Sequence, residues 1–332
     1  MLQEPKGHNL SKTENFSSLV SSYSPNDYLE SCALEKDQEE HYFHVNTGFL
    51  NFDKNLHGGL SRGLHVLGAI SGLGKTTISI QIAEQIAKSG QDVLFFSLEM
   101  SRCELRNKCL KRNLFDLFGI DAFAGNKAKE DSFQIYCFAS AMEKYSLAAK
   151  HLYIFEDEYK NQPISANLIK EISKKHKEIT GNTPVVFVDY LQVLSPICNR
   201  TTDKQNVDDS VRILRKISRE LNTVVFAISS FNRDNYKEPV NISSFKETGS
   251  IEYSADYLYG MQIRGMDYEV GEKEQTRLSR IRKLEQDVIL KTQNDQPIET
   301  ELKCLKNRFG CQFSIVFDMM PRFSHFSESK QN

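Results

Sequence analysis

The sequence predicts an α/β protein: a mostly parallel, twisted sheet flanked by helices, with a β-hairpin near its C-terminal end. Three observations point there. From Asn46 onward strand-like and helix-like segments alternate. The strand-like segments are continuously apolar, as strands buried on both faces are. One of them, Leu64–Ile70, runs straight into a glycine-rich turn that opens an amphipathic helix.

Residues 1–45 are rich in Ser, Asn, Glu and Lys and poor in aliphatic side chains, so they read as a polar tail or linker that packs on a neighbour. Ser24-Pro25 offers a start for a short helix through Tyr28-Leu29 toward Glu40. Residues 46–326 read as the folded domain and 327–332 as a C-terminal tail. Strands are expected at 64–70, 92–97, 152–155, 185–189, 223–229 and 257–263. Helical faces are marked by Ile78, Ile82 and Ile86, by Ile164, Leu168, Ile172 and Ile179, and by Val207, Val211, Leu214 and Leu221. Residues 264–299 are charged and irregular and read as an exposed insertion. A hairpin is expected from Glu301 to Asp318, turning near Phe309-Gly310.

Composition sets outer limits. A chain of 332 residues, 39% hydrophobic and 26% charged, is an ordinary globular protein of one large or two small domains. No apolar run is long enough to span a membrane and the polar N-terminus lacks a signal-peptide core, so a cytoplasmic protein without a membrane partner is expected. Its seven cysteines are scattered and never spaced C-x-x-C, which argues against a disulfide framework or a zinc site. The formal net charge of −2 neither supports nor excludes a nucleic-acid partner.

The chemistry concentrates at Ser71-Gly72-Leu73-Gly74-Lys75-Thr76-Thr77. Strand, glycine turn, Gly-Lys-Thr and helix is the layout of a phosphate-binding loop. Glycines let the backbone N–H groups face a phosphate, and the helix N-terminus adds its positive dipole end. Lys75 then reaches the β and γ phosphates, and the Thr76 hydroxyl ligates magnesium. Ala69 stands where the strict pattern has its first glycine. The sequence therefore implies a nucleoside triphosphate site, with ATP and Mg2+ as the expected ligands.

In a parallel sheet, ligands sit beyond the carboxyl ends of the strands. Strand 185–189 ends in Asp189, an acid suited to holding magnesium beside Thr76. Strand 92–97 leads into Glu99, which is either a general base for an attacking water or a cap for a helix over 101–112. Strand 223–229 ends in Ser229-Ser230-Phe231-Asn232-Arg233, whose polar groups either sense a γ-phosphate or close a turn. The hairpin supplies Lys306-Asn307-Arg308, where a guanidinium suits transition-state phosphate charge; read alone, Lys306 and Arg308 are equally surface charges.

Taken together these segments resemble the C-terminal ATPase domain of the DnaB family of ring-shaped replicative helicases, which uses a RecA-like core. The matching pieces are Thr47-Gly48-Phe49 with Leu56-His57-Gly58-Gly59-Leu60, the phosphate loop, Phe96-Ser97-Leu98-Glu99-Met100, Val188-Asp189-Tyr190-Leu191-Gln192, Lys246–Glu252 through Ala255-Asp256, and Lys306–Gly310. The resemblance implies Glu99 as catalytic base, Asp189 as magnesium-associated acid, and Arg308 as an arginine finger on the neighbouring subunit's nucleotide with Lys306 beside it. It further implies a hexameric ring that threads single-stranded DNA, with Asn199, Arg200 and Lys204 in the DNA-contacting loop and a primase or loader as partner. Three departures stand out. Ser230 replaces the family's γ-phosphate-sensing Gln, the N-terminal collar domain is missing from residues 1–45, and segment 264–299 is longer than usual. Such a combination resembles mobile-element or phage versions. A DNA helicase motor is the first expectation. A nucleotide-switched oligomeric loader that binds ATP without unwinding is the alternative, and a RecA-like recombination ATPase is a third.

Overall fold

The computed structural model describes residues 44–123, 130–196, 202–231, 237–245 and 249–329. The chain divides at Phe43/His44, and all the described residues belong to the unit His44–Asn332. In chain order the first elements are β1 (His44–Val45), α1 (Leu50–Asn55), β2 (Leu60–Ser61), β3 (Gly63–Ala69), α2 (Lys75–Lys88) and β4 (Val93–Ser97). Then follow α3 (Arg102–Phe118), α4 (Glu130–Ala149), β5 (Leu152–Phe155), β6 (Glu158–Tyr159), β7 (Gln162–Pro163), α5 (Ala166–Thr180) and β8 (Val185–Asp189). The last are α6 (Asp203–Leu221), β9 (Val224–Ser230), α7 (Gly249–Ser254), β10 (Tyr257–Ile263), α8 (Glu274–Gln293), β11 (Ile298–Asn307), β12 (Ser314–Met320) and β13 (His325–Glu328).

One nine-stranded sheet carries the unit, in the order β13-β12-β11-β10-β3-β9-β8-β4-β5. From β10 to β5 every neighbouring pair is parallel. From β10 outward to β13 every pair is antiparallel. Every residue of β3, β4 and β8 is buried, which is why their sequences carry no polar alternation. Helices α5 and α6 press Ile169, Ile172, Val211, Leu214 and Ile217 onto one face, in a core shared with Val66, Val186 and Val225. The α/β expectation and all six expected strands therefore appear, with ends shifted by a residue at most.

Helix α2 is buried around much of its circumference and includes Glu84, which is 0% exposed. Burial of that carboxylate is offset by Arg112 and Asn113 from α3 and by Lys88 one turn on. The pairing ties the helix after the phosphate loop to α3, and Arg112 also donates to Ser324 O at 3.4 Å.

Two parts differ from expectation. Residues 264–299 are not an irregular insertion, because α8 occupies Glu274–Gln293. Its buried residues are Ile281 and Arg277, an arginine where an apolar residue would ordinarily mark the inner face. Arg277 is held by Glu238 at 2.7 Å, Glu274 at 3.1 Å and the Lys237 carbonyl at 2.9 Å, with its guanidinium over the Tyr268 ring. The C-terminal edge also gains a strand, since β13 pairs with β12 and continues to Glu328. The Glu328 carboxylate accepts the amides of Asn51 at 2.9 Å and Phe52 at 2.8 Å, capping the first turn of α1.

Candidate nucleotide site

Four strands end together at one edge of the sheet. Ala69 of β3 lies opposite Ser230 of β9, and Asp189 of β8 lies opposite Ser97 of β4. The loop after β3 turns on Gly72 (φ 82°) and Gly74 (φ 83°), conformations that L side chains rarely adopt. A Cβ on Gly74 would also meet the Phe326 ring at 2.8 Å and Met319 Cε at 3.0 Å, so β12 and β13 close against the loop from beneath. Leu73 is buried and anchors the turn, while Ser71 and Gly72 are exposed. Helix α2 starts at Lys75 with Gly74 as its N-cap and no side-chain cap, so its first amides point toward an anion site. The Lys75 ammonium donates to Ala69 O at 2.9 Å and Ile70 O at 3.0 Å, lying across the mouth of the loop.

Asp189 is 1% exposed, and burial pushes its carboxyl up to about 6. The Thr76 hydroxyl bonds to it, Lys75 and Lys108 favour its charged form, and Glu99 opposes it. Its Oδ2 is buried with no hydrogen-bond partner. An orphaned carboxylate oxygen beside a helix-first-turn hydroxyl is a donor set that fits magnesium, a cation that prefers oxygen ligands. Glu99 is exposed on the same edge, two residues beyond Ser97. It does not cap α3: that helix starts at Arg102, and Ser101 with Glu104 forms its capping box. The Leu98 amide donates to Asp189 O at 2.8 Å, which stitches the Glu99 turn to the β8 end.

Sequence reasoning missed Lys108. It projects from α3 to the Thr77 hydroxyl at 3.1 Å, and burial lowers its pKa. The only signal in the sequence is its spacing, nine residues after Glu99 on a helix returning past the loop. Gln192 was missed as well. Its Nε2 donates to Ser229 Oγ at 3.0 Å and Ser230 O at 3.4 Å, and its Oε1 accepts from Ser230 N at 3.4 Å. The amide of Gln192 thus braces the β9 end where the expected sensor position carries Ser230.

Lys306 and Arg308 lie elsewhere. Asn307 pairs with Tyr257, which pairs with His65, so the tip of β11 sits at the amino end of the parallel strands. His65 to Ala69 alone spans about 13 Å at ~3.3 Å per residue, and the phosphate loop lies beyond. The Lys306 ammonium donates to Glu252 O at 2.6 Å, and Arg308 pairs with Asp256 at 3.3 Å. Neither shares a site with the Lys75 of its own chain. Of the residues expected to touch DNA, Asn199 and Arg200 lie outside the described residues; Lys204 is exposed in the first turn of α6.

Comparison with known proteins follows the same pattern. The family described as DnaB-like helicase C terminal domain matches residues 44–328. The replicative DNA helicase DnaB of Helicobacter pylori (strain J99) is 26% identical over 314 residues, 86% of this chain and 62% of that protein. A probable plasmid replicative DNA helicase of Chlamydia muridarum is 24% identical over 303 residues, covering 90% of this chain and 58% of that one. The chain thus spans about three-fifths of the curated relatives it matches. Among solved structures, one described as an isolated ATPase domain superimposes with a TM-score of 0.70 at 20% identity, over 92% of this chain and 99% of that one. A structure described as a DnaB-like replicative helicase and its interactions with primase gives the same TM-score, 0.70, at 20% identity, covering 92% of this chain and 66% of that one. These likenesses show the fold, and the family match over residues 44–328 shows the membership. The chain belongs to the DnaB-like helicase C-terminal domain family.

Proposed function

We propose that the protein is an ATP-driven DNA helicase motor in which hydrolysis takes place between neighbouring subunits of a ring. One observation carries this reading. The phosphate loop lies at the carboxyl end of the strands and Lys306 and Arg308 at the amino end, so one protomer holds only half of a phosphoryl-transfer site.

The loop amides and Lys75 bind the triphosphate, with Ser71–Thr77 as the cradle. Thr76 and Asp189 hold magnesium, which neutralises phosphate charge when bound. Glu99, exposed beside them, takes the proton of the attacking water. Lys108 adds a second cation from α3, and Gln192 with Ser230 transmits the state of the site to the β9 end. Arg308 and Lys306 reach the γ-phosphate of the adjoining protomer and stabilise charge developing in the transition state. Single-stranded DNA passes through a hexameric ring and meets Asn199, Arg200 and Lys204. A primase or loader is the expected protein partner; one structural neighbour is described with its primase interactions. No helix of the described residues is long and apolar enough to cross a membrane.

The test is steady-state ATP hydrolysis against protein concentration, with and without single-stranded DNA, using Lys75→Ala as the blank. Activity that rises more steeply than protein concentration and is stimulated by DNA supports the motor. Slow hydrolysis, linear in protein and indifferent to DNA, sinks it and leaves the nucleotide-switched loader.

A further inference from the structure

Asp256 lies at the amino end of β10 with 6% exposure. Its carboxylate is fixed from inside, because Oδ2 accepts the Leu64 amide at 3.0 Å. The other oxygen, Oδ1, faces two guanidinium groups: Arg308 Nη1 at 3.3 Å and Arg215 Nη2, from α6, at 3.4 Å. Arg308 is also held through its backbone, donating to Asp256 O at 3.0 Å. The Arg215 side chain is 19% exposed, and its Nε is buried without a hydrogen-bond partner. Arg215 therefore has donors to spare. Lys306 stands in the same field, as do Arg219 and Glu252. Positive charge exceeds negative here, so Arg308 is repelled by its neighbours while one shared oxygen holds it.

A buried carboxylate stripped of its only cation is costly. We propose that Arg215 is a positioning residue for Arg308. By keeping hold of Asp256 Oδ1, it lets Arg308 leave for the neighbouring protomer's triphosphate without stranding a buried charge. This rests on the reading of Arg308 as the residue acting between subunits. Arg308 then has two berths, Asp256 in its own chain and the phosphate across the interface, and Arg215 sets the balance between them.

The experiment measures DNA-stimulated ATP turnover of the full chain, at concentrations where assembly is complete, for Arg215→Gln, Arg215→Lys, Asp256→Asn and the Arg215→Gln/Asp256→Asn pair. Arg215→Gln leaves Arg308 as the main cation on Asp256, so kcat is expected to fall about tenfold while KM for ATP stays within about twofold. Arg215→Lys keeps the charge and is expected to retain most of the turnover. Adding Asp256→Asn to Arg215→Gln frees Arg308 and is expected to restore kcat to within about threefold of wild type. A merely structural role for Arg215 would not be relieved by removing the carboxylate. Wild-type turnover in Arg215→Gln, or a double variant as slow as the single one, overturns the proposal. Should Arg215→Gln fail to fold, Asp256→Asn alone decides: unchanged or faster turnover supports the tether, and a tenfold loss overturns it. Arg308→Ala run alongside separates the two readings. Full activity in Arg308→Ala removes the intersubunit role itself, whereas an inactive Arg308→Ala beside a fully active Arg215→Gln removes only the role of Arg215.

Discussion

The two ends of the parallel strands are built by opposite means. At the carboxyl end the backbone does most of the work. Positive-φ glycines, an uncapped helix start and strand ends in register bring Lys75, Thr76, Asp189 and Glu99 to one edge, and one buried oxygen of Asp189 is left unpaired. At the amino end side chains are already paired with one another: Arg308 and Arg215 with Asp256, Lys306 with the Glu252 carbonyl. One end is prepared to receive a ligand, and the other holds its reactive group in reserve. A protomer built this way is committed to binding before it is committed to turnover.

The largest expected effect tests that division directly. Arg308→Ala should lower kcat by about a thousandfold or more, the scale of an arginine finger. It should leave nucleotide binding intact, as followed by fluorescent-nucleotide titration. Mixing it with Glu99→Gln should recover part of the activity, because each variant supplies the end that the other lacks. No recovery on mixing would place both ends in one chain's site and break the comparison.

Next comes the network that fixes the loop's helix. Glu84→Ala leaves Arg112 buried and unpaired, and should cost about 3–5 kcal/mol in denaturant unfolding. Lys108→Ala should slow turnover by about a hundredfold with little change in stability, as expected for a group facing transition-state charge. An effect confined to melting temperature would make Lys108 a strut.

The smallest effect is in pH, where the two ends titrate with opposite sign. His65, at the amino end, is fully buried and its pKa is lowered to about 4 by desolvation, from 6.5 in the unfolded chain. Its contribution to stability is present above pH 6.5 and is lost as pH falls toward 4, at about 1.4 kcal/mol per unit. Asp189 is raised by burial from 3.8 to about 6, so its contribution is present below pH 3.8 and is lost as pH rises through 6. Between pH 4 and 6 the two oppose each other in the magnesium-free protein. Asp189→Asn should therefore steepen the rise of stability with pH, and His65→Phe should reverse it, as read by chemical denaturation at fixed pH values.

Legibility in the sequence followed the same divide. Strands β3, β4, β8 and β9 declared themselves because burial on both faces leaves only apolar residues, and the loop chemistry is contiguous, from Ser71 to Thr77. Helix α8 was missed because its most buried contact is the charged Arg277, which balances its charge against Glu238 and Glu274 and so hides the apolar stripe. Lys108 and Gln192 went unseen because each acts on a partner from another element, at distances that no local pattern encodes. The bond between Arg308 and Asp256 was beyond reach for the same reason, since antiparallel pairing of β10 with β11 is what brings them together.

The clasp between Glu328 and the first turn of α1 has a consequence for how this domain is used. Those two backbone bonds draw the last strand onto the first helix, so the entry and exit of the folded unit are neighbours. A module with adjoining ends can be appended to, or inserted within, another polypeptide at little conformational cost. The same ATP-handling unit is thereby suited to trade accessory parts by recombination while its interior packing stays untouched.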